Sequence, residues 1–114
     1  LAGADLSEAK LAEASMRGVD ATWADQTRAE LTRADLRAPG LCRTRLVRSR
    51  LIEGELAGSQ TEGADLSDAD LARADVGETN LSGANLRGAR TNGIHTDELT
   101  VWPRDADAQA TIPA

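Results

Sequence analysis

The chain lacks most of the residues from which ordinary globular cores are built. Its 114 residues include no Phe, no Tyr, two Trp and one Met. A globular domain of this size would have to fill its core with Leu and Ala, whereas a solenoid needs only a thin core repeated along an axis. The composition therefore favours a single domain of repeats.

Other scarcities exclude kinds of site. His95 is the only histidine, so no metal site can use a second imidazole. Cys42 is the only cysteine, which excludes an internal disulfide and is typical of a reducing compartment. There is no apolar run of about 18 residues, no signal-peptide core and no phosphate-binding glycine motif. We therefore expect a cytoplasmic, non-catalytic protein without cofactor, metal or membrane segment.

What the chain does have is a period of five. The stretch GADLSDADLARADV, residues 63–76, repeats a small residue, an acid and an aliphatic residue three times. Thirteen of the fourteen leucines fall in one class of positions spaced by five, from Leu1 onward, and the frame holds to Thr91. Five residues advance an α-helix by about 500°, which forms no stripe, and in a strand they alternate faces. The period predicts a chain that turns a corner in every repeat.

Each repeat has the same internal order. Two residues before the aliphatic position, called central below, the chain is almost always small, and one residue before it is often Asp or Asn. The two positions that follow are mixed and mostly polar. We expect the central and small residues to face inward and the other three to face water or the turn.

This order resembles the pentapeptide-repeat family, whose consensus is a small residue, Asp or Asn, Leu or Phe, and two variable positions. The resemblance covers residues 1–93. It implies an all-β fold, a right-handed parallel quadrilateral β-helix of about four and a half coils with four repeats per coil. Residues twenty apart would then stack at about 4.8 Å. The resulting apolar column would contain Leu11, Leu31, Leu51 and Leu71. Gln26 would interrupt another column and need hydrogen bonds from corner backbone or water.

The last part of the chain has a different composition. Residues 94–114 are predicted to form a short C-terminal cap followed by a loose tail from about Arg104. The four larger apolar residues at the start of this segment are expected to lie across the last coil. Its TVWP string is similar to tails of many bacterial members of the family. Because Leu1 is already a central position, we expect the native chain to begin earlier. The apolar residues are Ile94, Leu99, Val101 and Trp102.

Charge is distributed unevenly over the repeats. The net charge is −6, yet residues 37–50 hold five arginines and no acid, while residues 62–78 hold six acids and one arginine. One interpretation is self-compensation, with Arg45 near Asp25 and Asp65, and Arg50 near Glu30 and Asp70. The other is an interaction patch. The candidate partner-binding residues are Trp23, Arg43, Arg45, Arg48, Arg50, Asp65, Asp70 and Asp75.

The sequence allows either a structural or a functional role for individual candidate residues. Trp23 occupies an outward position, where it can anchor a partner or lie over Thr22 and Arg43. Asp65, Asp70 and Asp75 follow the repeat, so a solvated or turn-bonding role is favoured over acid–base catalysis.

Two functions follow from these patterns. The first is a non-catalytic solenoid scaffold, a protein interaction module whose partner is a protein and which does not bind nucleic acid directly. The alternative is implied by the resemblance alone, because some family members are acidic DNA mimics that bind DNA gyrase and protect against quinolones or peptide toxins. Overall acidity favours this alternative, but the arginines of residues 37–50 interrupt any phosphate-like stripe.

Overall fold

The computed structural model describes residues 3–18, 20–37 and 41–102. Leu1, Pro39 and the predicted tail lie outside these ranges. Within them the chain forms no helix and no strand longer than one residue, and its regular structure consists of single parallel bridges separated by turns. The pairing is this short because each five-residue repeat spends the rest of its backbone on a turn.

The bridges join residues twenty apart, as the predicted stacking requires. They fall into four columns, and each column marks one side of the solenoid. All bridged residues stand one position before a central residue, except Val101. Side one contains Asp5, Asp25, Arg45, Asp65 and Asn85; side two Lys10, Glu30, Arg50, Asp70 and Arg90; side three Ser15, Asp35, Glu55, Asp75 and His95; side four Gln60, Asn80 and Val101.

Backbone hydrogen bonds account for four of the five N–H groups in repeats of the inner coils. Two donate to the next coil, one to the preceding coil, and one closes the turn onto the central carbonyl. In the repeat at Leu66, the N–H groups of Leu66, Asp68, Ala69 and Asp70 donate to the carbonyls of Asn85, Arg87, Leu66 and Ser49, at 2.8, 2.9, 3.0 and 2.9 Å.

The fifth N–H belongs to the residue after the central position, and it explains the recurrent Asp or Asn. The side-chain oxygen one residue before the central position accepts this N–H at 3.0–3.1 Å, as an Asx turn does. Every Asp and Asn at that position among the described residues makes the bond: Asp5, Asp20, Asp25, Asp35, Asp65, Asp70, Asp75, Asn80 and Asn85.

Each corner is a turn with a left-handed residue. The second residue after the central position has a positive φ throughout the described repeats, from 53° at Glu78 to 77° at Gly18. A positive φ at the third residue of the turn is the requirement of a type II turn. Seven of these corner positions are glycine and eleven carry a side chain, many of them Arg or Glu.

The core contains the central and small residues, as predicted. Leu31, Leu51 and Leu71 are at most 2% exposed and lie in one column. Leu6 and Leu11, in the first coil, are only partly buried.

Gln26 shares a column with buried leucines and is itself fully buried. Its amide nitrogen and oxygen have no hydrogen-bond partner within the described residues. The expected bonds from the Gln26 side chain to corner backbone are therefore not formed within the described residues.

After Gly93 the chain continues along the coil and then departs from the period. His95 bridges Asp75 at the usual spacing, but Val101 bridges Asn80, one residue later than the repeat requires. Ile94 and Trp102 pack against the core. The expected position of Leu99 across the coil is wrong, since it lies in a turn and is 61% exposed.

Candidate partner-binding surface

The eight candidate residues are divided among three sides and two corners. Trp23 and Arg43 stand at the corner that precedes side one, Arg45 and Asp65 on side one, and Arg48 at the following corner. Arg50 and Asp70 lie on side two, and Asp75 lies on side three. The structure thus brings Trp23, Arg43, Arg45 and Arg48 onto one surface, which we call the Trp–Arg patch.

Trp23 and Arg43 combine the two interpretations left open by the sequence. The guanidinium carbon of Arg43 lies 5.3 Å from the centroid of the Trp23 ring, a cation–π distance. The ring nevertheless remains 62% exposed. Its backbone has a φ of 63°, a conformation that bulky residues rarely adopt. Trp23 is therefore held by one neighbour and still presents a large apolar surface to solvent.

Arg45 and Arg48 are exposed and form no ion pair with any described residue. The backbone of Arg45 does bridge Asp25 and Asp65, as expected. However, Oδ1 of both aspartates is engaged by the residue two positions later: Thr27 donates to Asp25, and Ser67 donates to Asp65. The predicted stacking is correct, but it does not produce the expected ion pairs at Arg45.

The rest of the arginine-rich stretch is paired. Arg50 lies 3.8 Å from Glu30 and makes the expected contact, although no ion pair joins it to Asp70 among the described residues. Arg37 binds Asp35 at 2.8 Å and Glu55 at 3.5 Å. Residues 37–50 are thus not one uniform belt, because the structure separates paired arginines from those of the Trp–Arg patch.

Asp65, Asp70 and Asp75 act in their turns. Their Oδ1 atoms accept the N–H groups of Ser67, Ala72 and Gly77 at 3.0–3.1 Å. This is the turn-bonding role favoured by the sequence, and the three carboxylates stand on three different sides.

Comparison with known proteins agrees with this geometry. The family model described as Pentapeptide repeats matches eight copies, over residues 1–25 and 64–90. The bridges spaced by twenty residues run through both matched parts and through the unmatched part between them. The chain belongs to the pentapeptide-repeat family.

Solved structures of pentapeptide-repeat proteins resemble this chain. A pentapeptide repeat protein (Rfr23) from the cyanobacterium Cyanothece 51142 is 28% identical, covers 88% of each chain and has a TM-score of 0.54. HetL from Nostoc, involved in heterocyst differentiation regulation, is 28% identical over 82% of this chain and 47% of its own, with a TM-score of 0.46. QnrB1, a plasmid-mediated fluoroquinolone resistance protein, is 18% identical over 82% and 61%, with a TM-score of 0.43.

The likeness to Rfr23 implies a right-handed quadrilateral β-helix. The likenesses to HetL and QnrB1, with TM-scores below 0.5, indicate nothing about the partner of this chain. No curated protein matches the sequence significantly.

The pentapeptide-repeat surface also carries an ion ladder that the sequence analysis missed. At one corner, residues of alternating charge stand twenty positions apart: Glu13, Arg33, Glu53 and Arg73. Arg33 lies 3.3 Å from Glu13 and 3.6 Å from Glu53, and Arg73 lies 3.8 Å from Glu53. The signal was present, because comparing residues twenty apart at the second variable position reveals the alternation.

Two carboxyl groups next to arginines of residues 37–50 have lowered pKa values, Asp35 next to Arg37 and Asp25 next to Arg45. The side-chain hydrogen bond from Arg37 holds the pKa of Asp35 at about 2. The stabilisation from this pair is present above about pH 4 and is lost as the pH falls through the lowered pKa. The pKa of Asp25 is lowered first by the Thr27 hydroxyl and less by the charge of Arg45.

Within the described ranges, no group of three or more His, Cys, Asp and Glu side chains is arranged to hold a metal ion. The same residues include no helix long and apolar enough to cross a membrane. The Cys42 thiol is partly buried and lies 3.8 Å from the carbonyl oxygen of Gln60.

Proposed function

We propose that the chain is a non-catalytic solenoid scaffold of about four and a half coils that binds a partner protein in the cytoplasm through the Trp–Arg patch. The observation that carries this proposal is the contrast in charge pairing. Arg33, Arg37 and Arg73 are ion-paired, whereas the three arginines of the patch have no carboxylate partner among the described residues.

The composition of the patch supports a binding role. Trp and Arg dominate the energetics of protein interfaces because they combine large contact area with directional charge. Here the two stack on each other at the corner that adjoins the side of Arg45, and Arg48 stands at the next corner. A partner that covers the ring removes apolar area from water and brings its own acids against the arginines.

A capture experiment tests this proposal. The full chain is immobilised and exposed to extract, beside a variant with Arg43→Gln and Arg48→Gln. The matched control carries Arg33→Gln and Arg73→Gln, which also removes two guanidinium groups from left-handed corner positions. We expect a protein captured by the parent and the control and lost with the patch variant. Capture that is the same for all three chains would overturn the proposal.

The alternative function is a DNA mimic that binds DNA gyrase. Side three supports it with a column of acids, Asp35, Glu55 and Asp75. Two observations oppose it: Arg37 neutralises the first two of these acids, and Arg45 interrupts side one. We expect no inhibition of gyrase supercoiling by the purified chain. Inhibition that disappears when Asp65, Asp70 and Asp75 become Asn would make the mimic the leading function.

A further inference from the structure

The Trp–Arg patch departs from patterns that recur elsewhere in the solenoid. Arg45 occupies the position where Asp or Asn accepts the fifth N–H of the repeat, and a guanidinium has no acceptor with which to replace that bond. Arg50 on side two gives up the same bond but gains Glu30 at 3.8 Å. Arg45 gains no ion pair among the described residues. At this position the fold gives up a turn bond for an exposed positive charge.

The following corner shows a second departure. Arg28 and Arg48 are neighbours in one corner column, joined through the backbone by the Arg28 N–H donating to the Val47 carbonyl at 2.8 Å. Like charges directly opposite each other on adjacent strands are destabilising. Neither guanidinium has a carboxylate within 4.0 Å in the described chain. The patch therefore extends to a fourth arginine without an ion pair among the described residues, in a column whose outer charged members are Glu8 and Asp68.

The preceding corner shows a third departure, at Trp23. Its ring is the largest side chain at any left-handed corner of the described repeats, where glycine stands seven times. Gly63 gives the Arg43 stem room on the other side, since a Cβ there would lie 3.2 Å from the Arg43 Cγ. The backbone conformation is that of every corner, so what distinguishes Trp23 is an exposed aromatic ring with a stacked cation, a combination that is enriched at binding surfaces.

We propose that the Trp–Arg patch recognises a short acidic segment of a partner protein, with Trp23 as the apolar anchor, an inference that rests on the interaction-module function proposed above. Glu and Asp side chains fit because a guanidinium binds a carboxylate through two parallel N–H donors. Exposed arginines from two corners and one side face such a segment together with Arg28.

The surroundings favour a short peptide over a nucleic acid. Asp25 and Asp65 flank Arg45 in its column, Asp68 stands beside Arg48, and the whole chain carries a net charge of −6. A long polyanion that continues beyond the patch meets these acids and is repelled, whereas a few carboxylates fit within it. The segment that binds this surface is therefore expected to be short and negatively charged.

Fluorescence gives a direct test. Trp23 and Trp102 are the only tryptophans, so Trp102→Phe leaves Trp23 as the single reporter. The probe is a short capped peptide of alternating Glu and Ala, and the control peptide has Gln in place of Glu. We expect the Glu peptide to change the Trp23 emission, with an affinity that weakens as salt is added. The Gln peptide is expected to have no effect.

Variants in the reporter chain locate the contact. Arg43→Gln with Arg48→Gln should weaken binding of the Glu peptide by about tenfold or more, whereas Arg33→Gln with Arg73→Gln should leave it unchanged. Equal binding of the Glu and Gln peptides, or equal loss in both double variants, would overturn the acidic-segment inference. Tighter binding of single-stranded oligothymidine than of the Glu peptide would overturn it in favour of nucleic acid.

The two proposals fail differently. A partner captured only through Arg43 and Arg48, with no response to the Glu peptide, contradicts the acidic segment and leaves the interaction module standing. Capture that is indifferent to Arg43 and Arg48 contradicts the module itself.

Discussion

Two corners of the solenoid share one backbone and differ in everything outside it. One carries Glu13, Arg33, Glu53 and Arg73, and the other carries Trp23 and Arg43 between glycines. All six side chains stand on the same kind of turn, with φ between 56° and 63°. In the first corner each neighbour twenty residues away has the opposite charge, and ion pairs of 3.3–3.8 Å form. In the second corner no acid occupies the neighbouring positions.

The difference shows that ion pairing on the surface of this fold depends on which residues share a column. At these corners the ion-pair partner of a residue is the residue one coil away in the same column, whereas Arg37, directly after a central residue, pairs with Asp35 two positions earlier. The same backbone that makes the ladder neutral thus leaves the Trp–Arg patch charged.

The largest expected effect comes from a substitution in the core that supports both corners. Leu51 is fully buried between Leu31 and Leu71, so Leu51→Ala should cost about 2–5 kcal/mol in the free energy of unfolding. Leu51→Asp should unfold the middle of the solenoid. Leu6→Ala, in the partly buried first coil, should cost clearly less. Urea melts decide it, and a Leu51→Asp chain as stable as the parent would contradict the inward position of Leu51.

The next effect concerns the interior beneath the Trp–Arg patch. Gln26 is fully buried and its amide has no hydrogen-bond partner in the described chain. Gln26→Leu should therefore stabilise the protein by about 1–3 kcal/mol, because an unpaired polar group leaves the core. Gln26→Ala is the control, since it removes the amide but also leaves a cavity. A loss of stability in Gln26→Leu would show that the amide is satisfied.

A smaller effect separates charge from turn bonding on side one. Asp65 accepts the Ser67 N–H at 3.1 Å and neighbours Arg45 in the column. Asp65→Ala should cost about 0.5–1.5 kcal/mol, because the turn bond is lost. Asp65→Asn should stay close to the parent, as Asn85 makes the same bond to Arg87. Thermal melts of the two variants provide the measurement, and equal losses would contradict the turn-bond role.

Much of the interior was predictable because periodicity acts on every repeat. The five-residue frame indicated that Leu51 faces inward and that Arg45 stacks next to Asp25, and both are observed. The left-handed corner was not predicted. Its signal was available, since seven of the ten glycines fall at the second position after the central residue. The Arg and Glu side chains at other corners hid this preference.

The candidate surface was predictable in part. Sequence spacing placed Arg45 beside Asp25 and Asp65, but it could not show that both aspartates are engaged by their own turns. Spacing also placed Arg37 and Arg45 in one basic stretch, although Arg37 turns to Asp35. Such choices depend on side-chain hydrogen bonds within about 3 Å, which a period of five residues does not specify.

The smallest expected effect compares the two kinds of corner arginine directly. Arg33 and Arg48 share a φ of 57° and both are exposed, but Arg33 pairs with Glu13 and Glu53 whereas Arg48 has no ion pair among the described residues. Arg33→Gln should lower the free energy of unfolding by about 0.2–1 kcal/mol at low salt, as expected for exposed ion pairs. Arg48→Gln should leave it nearly unchanged, because Arg28 loses a like-charged neighbour while Asp68 loses an oppositely charged one. Added salt should remove the difference between the two variants. Urea midpoints at two salt concentrations measure it, and an equal loss in Arg48→Gln would mean that the fold, rather than a partner, requires this arginine.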